Sequence, residues 1–183
     1  MTGMDRRAPG ARMDADREGR EPRQNTRPPM QWVRFGHRGY CGIGIENAKS
    51  EVNLGTLWRS SFCLGADFIF TIGDRYKKQA SDTTCAWRHI PYWRFETAAD
   101  FRQHIPYDCQ LVGVEVSNDA IRLPLFVHPQ RAIYLLGPED GSLSEESLAL
   151  CGAVVRIPSI FCLNVAVAGA IVLYDRYRKT EQP

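Results

Sequence analysis

The sequence lacks the close cysteine pairs from which most structural zinc sites are built. Its six cysteines, none of which belongs to a Cys-x-x-Cys pair, are Cys41, Cys63, Cys85, Cys109, Cys151 and Cys162. Zinc ligands usually come in such pairs, so we predict no metal site. Several of these cysteines lie in apolar runs, which favours reduced, buried thiols in a cytoplasmic protein over a disulfide framework.

The sequence also lacks a signal peptide and a membrane-spanning run. Residues 1–30 contain arginine, glycine and proline with almost no apolar residue, so they hold no secretory signal, and their acidic residues argue against a transit peptide. The longest apolar run, residues 163–174, is too short to cross a bilayer as a helix. We therefore predict no membrane partner, a disordered arm over residues 1–30 and one folded domain over residues 31–183.

Signatures of common enzyme classes are missing as well. The sequence has no Walker-type loop, no Ser-x-x-Lys motif and no nucleophile elbow, and Gly42-Ile43-Gly44 is only half of a dinucleotide-binding fingerprint. The formal net charge of +2 is too small to identify a partner by itself.

What the sequence does contain is an alternation of strand-like and helix-like segments. A strand at residues 39–45, a helix at 53–64 and a buried strand at 67–72 form a strand–helix–strand unit, which indicates a parallel sheet. Further strands are predicted at 93–95, 110–116, 132–136 and 153–157, and further helices at 97–104, 144–151 and 164–177. The prediction is a three-layer α/β/α domain with a mainly parallel sheet of five or six strands.

Four polar residues stand close to the ends of predicted strands and helices: Asn53, Arg59, Glu139 and Asn164. They predict a pocket whose groups can bind and orient a ligand, since none is an obvious nucleophile or metal ligand. Structural alternatives stay open, because Asn53 stands where a helix N-cap is expected and Arg59 could be a solvated surface residue.

Residues 73–91 form the most basic stretch of the predicted domain. Arg75, Lys77, Lys78 and Arg88 lie there, among several tyrosines and tryptophans. Basic residues mixed with aromatic ones suit a flexible RNA strand, through phosphate contacts and base stacking. A plain surface loop with aromatic anchors is an equally good interpretation.

Three ordered blocks resemble the SPOUT superfamily of RNA methyltransferases, in the SpoU/TrmH branch. Asn53-x-Gly55-x-x-x-Arg59 is similar to the first motif of that branch. The segment 136–144, LGPEDGSLS, is similar to its G-x-E-x-x-G-L-S motif, and Ile157-Pro158 with Cys162-Leu163-Asn164 is similar to its I-P-M and S-L-N motifs. Together the blocks cover residues from about 39 to 178.

The resemblance implies a function and a set of site residues. It implies transfer of a methyl group from S-adenosyl-L-methionine (AdoMet) to a ribose 2′-hydroxyl of tRNA or rRNA, with tRNA slightly favoured. By similarity, Asn53, Arg59, Glu139 and Asn164 are catalytic, Arg59 as the base or as the group that orients the hydroxyl. The residues implied for cofactor binding are Val114, Gly137, Ile157, Cys162 and Leu163. A deep trefoil knot near the C-terminus and a homodimer formed through the last helix are also implied.

Two departures from the family pattern lie close together. Cys162 replaces the usual serine, and the loop between Ile157-Pro158 and Asn164 is several residues shorter than usual. They leave two alternatives, a non-catalytic RNA-binding protein that retains the fold and a binder of a different small molecule or nucleotide. We interpret Cys162 as a small buried residue.

Overall fold

The computed structural model describes residues 39–74 and 88–180. The predicted arm over residues 1–30 and most of the basic and aromatic stretch lie outside these ranges. In the described ranges no helix is long and apolar enough to cross a membrane.

Seven strands and four α-helices make up the domain that the structure describes. The strands are β1 (Tyr40–Ala48), β2 (Phe68–Asp74), β3 (Tyr92–Phe95), β4 (Gln110–Val114), β5 (Ile121–Arg122), β6 (Arg131–Leu136) and β7 (Ala153–Arg156). The helices are α1 (Glu51–Cys63), α2 (Ala98–Gln103), α3 (Glu145–Leu150) and α4 (Val165–Thr180), and a 3-10 turn spans Leu123–Leu125.

All pairings in the sheet are parallel, and the strand order is β3-β2-β1-β6-β4-β7-β5. The predicted strand–helix–strand unit is confirmed, because β1, α1 and β2 follow one another and β1 pairs with β2. The last strand, β7, lies between β4 and β5 and pairs with both. Along the sequence, the chain therefore passes through β4, β5 and β6 before it returns to β7, which lies inside the sheet.

Two helical layers cover the two faces of the sheet, as predicted. The sheet is buried on both faces, so its strands read as continuous apolar runs in which alternate residues enter different cores. Ile43 and Ile45 of β1 share a core with Leu57 of α1 and Leu173 of α4. The opposite core joins β2 to α2 and α3 through a second set of residues: Phe68, Phe70, Phe101, Leu135 and Leu143, with Leu148 packed against it.

The small residues of β1 make room for aromatic rings. Gly42 and Gly44 pair in register with Phe68 and Phe70 of β2. A Cβ atom added to Gly44 would lie 2.5 Å from the backbone oxygen of Phe70 and 2.6 Å from its ring, so the glycine leaves the space that this ring fills. The close approach predicted for these glycines is made by neighbouring side chains and backbone.

Hydrogen bonds in a buried polar cluster connect the second half of α4 to β6 and to the segment before it. The imidazole of His128 is hydrogen-bonded to the Tyr134 hydroxyl at 2.6 Å and to the Asp175 carboxylate at 3.0 Å. Arg176 donates to the carbonyl of Gln130 at 2.7 Å. Burial lowers the pKa of His128 despite the neighbouring Asp175 carboxylate, so neutral imidazole is favoured in the folded protein.

Three details differ from the sequence-based expectation. The strand β5 was not predicted, because its two residues are both exposed and give no apolar alternation. The strand β1 continues to Ala48, beyond the predicted end. Ser50, rather than Asn53, caps α1: its side chain accepts a hydrogen bond from the Asn53 backbone amide, and Asn53 is the third residue of the helix.

We predict that Gly44→Ala destabilises the fold by about 1–3 kcal/mol, because the new methyl group must displace the Phe70 backbone or ring in a closely packed core. Urea unfolding measures the change. Gly152→Ala is the matched control, since the nearest atom to its added Cβ is 3.8 Å away. Equal stability of the two variants would contradict the packing argument.

Candidate functional site

The carboxyl ends of β4, β6 and β7 surround a cavity of about 280 Å³. In open parallel sheets, ligands bind outside the carboxyl ends of the strands. The cavity is lined by residues from all three strand ends and from the loop before α4. These include the five residues implied for cofactor binding: Val114, Gly137, Ile157, Cys162 and Leu163.

A chain of hydrogen bonds joins the three sequence blocks beside this cavity. The Asn53 side-chain amide donates to Glu139 Oε1 at 2.8 Å. The Asn164 side-chain amide donates to Asn53 Oδ1 at 2.9 Å. The first turn of α1, the loop after β6 and the start of α4 are therefore held together through one carboxylate and two amide side chains.

Glu139 also accepts hydrogen bonds from the backbone just before α1. The amide of Ser50 donates to Oε1 at 3.1 Å, and the amide of Lys49 donates to Oε2 at 3.0 Å. Burial opposes ionisation of Glu139, but the hydrogen bonds from Asn53 and from these amides together hold its pKa below the ordinary value. Glu139 is therefore a fixed anionic acceptor.

Asn164 has a second contact that positions the last helix. Its side-chain oxygen accepts from the backbone amides of Ala166 at 2.9 Å and Val167 at 3.4 Å. These are amides of the first turn of α4, so Asn164 is the N-cap of that helix. One side chain thus begins α4 and connects it to α1.

Two further carboxylates hold the segment that follows Glu139. Glu46, which is buried, accepts from the backbone amide and the hydroxyl of Ser144 at 2.8 and 2.7 Å, and from the Ser147 hydroxyl at 2.8 Å. Glu115 accepts from the Leu143 amide at 2.9 Å. Sequence analysis assigned no role to Glu46 or Glu115. The signal for both was a lone acidic residue at the end of an apolar strand.

Within one copy of the protein, Arg59 does not contact the other three polar residues. It does not line the cavity, and its side chain makes no hydrogen bond or ion pair with residues 39–74 or 88–180. Arg59 is exposed on α1, on the same helical stripe as the exposed residues Val52, Thr56 and Cys63. Of the four residues predicted for the pocket, Glu139 lines the cavity, and Asn53 and Asn164 are joined to it by hydrogen bonds, whereas Arg59 is not.

The interpretation of the cysteines as buried thiols is wrong for Cys63 and Cys162, which are exposed, and right for Cys41, whose pKa burial raises to about 12. Cys162 lies at the cavity rim because the short loop of residues 157–164 leaves it uncovered. Among the residues described, no group of three or more His, Cys, Asp or Glu side chains could hold a metal ion.

We predict that Glu139→Gln lowers the free energy of unfolding at pH 7 by about 1 kcal/mol, because one backbone amide loses its acceptor in a partly exposed position. A carboxylate whose pKa is lowered on folding stabilises the protein above its ordinary pKa of 4.5, and this contribution disappears as the pH falls through the lowered value. The difference between the two proteins should therefore shrink over that acidic range.

Urea unfolding at a series of pH values measures this difference. Glu96→Gln is the control, since Glu96 is exposed and no hydrogen bond to its carboxylate contributes to the site. A Glu139→Gln difference that stayed constant from pH 7 to pH 3 would contradict the role of the charge.

The sequence of this protein is similar to that of a known protein family. The sequence profile of the SpoU rRNA Methylase family matches residues 42–174. The tRNA (guanosine(18)-2′-O)-methyltransferase of Escherichia coli (strain K12) is 23% identical over 145 residues. That match covers 76% of this chain and 63% of the relative, so the chain spans less than two thirds of the relative's length.

Solved structures share the fold. The SpoU methyltransferase AviRb from Streptomyces viridochromogenes, in complex with the cofactor AdoMet, matches with a TM-score of 0.68 and 24% identity over 76% of this chain and 57% of that one. A structure concerned with the 2-OH methylation of C/U34 on tRNA matches with a TM-score of 0.69 and 21% identity, over 78% of this chain and 97% of that one. Since the family profile matches most of its length, with all three sequence blocks inside the match, this protein belongs to the SpoU rRNA methylase family.

Proposed function

We propose that this protein is an RNA methyltransferase that transfers a methyl group from AdoMet to a ribose 2′-hydroxyl. The observation that carries the proposal is the hydrogen-bonded chain Glu139–Asn53–Asn164 at the edge of the strand-end cavity. It joins all three family blocks at one place. The name of the Escherichia coli relative and the C/U34 structure favour tRNA over rRNA as the substrate.

The cavity has features that suit AdoMet. Leu136, Ile157 and Val165 supply apolar walls for an adenine ring. A Cβ atom on Gly137 would come within 3.1 Å of the Leu143 amide nitrogen and 3.3 Å of Glu115 Oε2, so glycine at this cavity-lining position lets the segment around Leu143 pack closely against it. Carboxylates of Glu115 and Asp140 line the cavity and complement a cationic ligand.

The chain's own residues would act by positioning. AdoMet, when bound, supplies an electrophilic methyl group on a sulfonium, so the protein must chiefly orient the acceptor hydroxyl and help to remove its proton. Asn53 and Glu139 fix the loop edge against which the ribose lies, and Asn164 fixes the loop that covers the cavity. A guanidinium group donates hydrogen bonds and has no acceptor site, so we assign Arg59 the task of holding a phosphate of the RNA, which receives the proton.

Arg59 would reach the site through a homodimer. The outer face of α4 exposes Val167 at 46% and Tyr174 at 56%, and Val52, on the stripe that carries Arg59, is 72% exposed. Burial of these side chains against a second copy would stabilise a dimer through α4 and bring Arg59 of one chain towards the cavity of the other.

We also infer that the C-terminal segment is knotted. The place of β7 between β4 and β5 is compatible with this inference, because the chain must return after β6 to a part of the sheet whose strands come earlier in the sequence. Such threading is rare among protein folds and is implied here by the family resemblance.

We expect Arg59→Ala to abolish methylation of RNA and to leave AdoMet affinity within about twofold, because Arg59 lies outside the cavity. Isothermal calorimetry with AdoMet and methyl transfer to bulk tRNA and rRNA measure the two properties. Arg102→Ala, which removes an exposed arginine from α2, is the control. Full activity of Arg59→Ala would refute its assigned role.

The same assays separate the alternatives. A wild-type protein that gives no heat with AdoMet or S-adenosylhomocysteine would be no AdoMet-dependent enzyme. RNA binding without methyl transfer would instead identify a non-catalytic relative, as the departure at Cys162 allows. Nucleoside mass spectrometry of tRNA and rRNA from cells with and without the gene identifies the modified nucleotide.

Val167→Glu should convert the homodimer to a monomer, because it places a charge in the apolar face proposed to be buried. Sedimentation velocity measures the mass of the particle. Tyr107→Glu is the control, since Tyr107 is also an exposed apolar residue, at 92%, but lies outside α4. A dimer that survives Val167→Glu and dissociates with Tyr107→Glu would place the interface elsewhere.

A further inference from the structure

A second cavity adjoins the candidate cofactor cavity. Its volume is about 500 Å³, and it shares Val116, Ile157, Ser159 and Cys162 with the first cavity. The two cavities therefore meet along the end of β7 and the loop that follows it, so a ligand in the second lies beside the group bound in the first.

The second cavity is positively charged. Arg122 and Arg156 line it, and no carboxylate is among the described residues that do so. They are the last residues of β5 and β7 and are register partners in the sheet. Strands so paired lie about 4.8 Å apart and direct in-register side chains to the same face, so the two guanidinium groups leave the sheet side by side.

Neither arginine is neutralised by a residue that the structure describes. Arg122 and Arg156 form no hydrogen bond or ion pair with any residue in the described ranges, and Nε of Arg156 is shielded from solvent without a partner. By contrast, Arg176 of α4 donates to a backbone carbonyl. Two adjacent like charges repel each other, and a shielded donor without a partner costs free energy, so this arrangement favours an anion between them.

The rim of the same cavity carries exposed apolar side chains. Phe161 is 84% exposed, and its neighbour Ile160 is fully exposed. Both belong to the short loop between β7 and α4 and line the cavity. An exposed aromatic ring beside paired arginines matches the needs of single-stranded RNA, in which guanidinium groups hold the phosphate and a ring stacks on a base.

We propose that Arg122, Arg156 and Phe161 form a nucleotide subsite, in which the two arginines bind an RNA phosphodiester and Phe161 stacks on the adjacent base. This inference rests on the proposed function, and the subsite would help the methyltransferase to select its RNA substrate. The subsite adjoins the cofactor cavity along β7, so a nucleotide held there presents a neighbouring ribose to the cavity. The shortened loop, a departure from the family pattern, is thus a substrate-binding element.

The test is steady-state methylation of tRNA, or of whichever RNA the wild-type protein methylates, by Arg122→Gln and Arg156→Gln. Each variant should raise KM for RNA about tenfold and reduce the slope of log affinity against log salt by about one. The AdoMet dissociation constant should stay within twofold. Arg102→Gln, the matched control on α2, should change none of these values.

Phe161 is tested by a pair of variants. Phe161→Ala should raise KM for RNA about fivefold or more, and Phe161→Trp should restore it, because stacking depends on the aromatic face. A merely structural role would not be rescued by the larger ring. Thermal melting of each variant checks that the fold is intact. Because Arg122 is exposed, we expect its substitution to leave folding unchanged.

Three results would overturn the subsite. They are an unchanged KM and salt slope in both arginine variants, a loss of AdoMet affinity that parallels the loss of RNA affinity, or conversion to a monomer, which would identify the surface as an interface between copies. A wild-type protein that methylates no RNA would instead defeat the proposed function. In that case, fluorescence anisotropy with labelled tRNA and the same variants still decides whether the arginines bind RNA.

Discussion

The arrangement of the site depends on one carboxylate acting as a hydrogen-bond acceptor. Glu139 receives the side-chain amide of Asn53 and two backbone amides that precede α1, and Asn53 in turn receives the amide of Asn164. Apolar packing holds the layers of the domain together but has little directional preference. These hydrogen bonds are directional, so they set where the first turn of α1 and the start of α4 lie relative to the cavity.

The carboxylates and the arginines of the strand-end region are used differently. Glu46, Glu115 and Glu139 all accept hydrogen bonds from backbone amides of nearby loops, so each helps to hold the protein's own backbone. Arg122 and Arg156 have no such internal partner in the described ranges. The second cavity, which these two arginines line, is therefore more attractive to anions than the formal net charge of +2 indicates.

Sequence patterns predicted most of the fold because the sheet is buried on both faces. Strands such as β1, β2 and β6 read as apolar runs, and α1, α2 and α3 begin at serine or threonine caps. The two-residue β5 has no such signal, since both its residues are exposed. The cap of α1 was misassigned because Ser50 and Asn53 both suit that position, and only the tertiary contact with Glu139 decides between them.

The site itself was less accessible to reasoning from local patterns. Asn53 is separated from Glu139 by 86 positions and from Asn164 by 111, so no spacing rule brings the three together. Their places near the ends of predicted strands and helices predicted a shared pocket, and the family resemblance gave each of them a role. Glu115 was missed because its partner is the backbone amide of Leu143, and a residue of almost any type supplies such an amide. Glu46 was missed because the serine hydroxyls that it binds lie 98 and 101 positions away in the sequence.

In the mechanism that we propose, the position of Arg59 would separate cofactor binding from catalysis. A single chain contains the cavity and the hydrogen-bonded edge formed by Asn53, Glu139 and Asn164, but Arg59 lies on the exposed stripe of α1. If AdoMet occupies the cavity, one chain suffices to bind it, whereas the proposed contact between Arg59 and the RNA needs the second chain. The exposed apolar faces of α1 and α4 would then do more than stabilise a dimer, because their burial would complete the catalytic group. Methyl transfer would be confined to the assembled form, and an unpaired chain could hold the cofactor without using it.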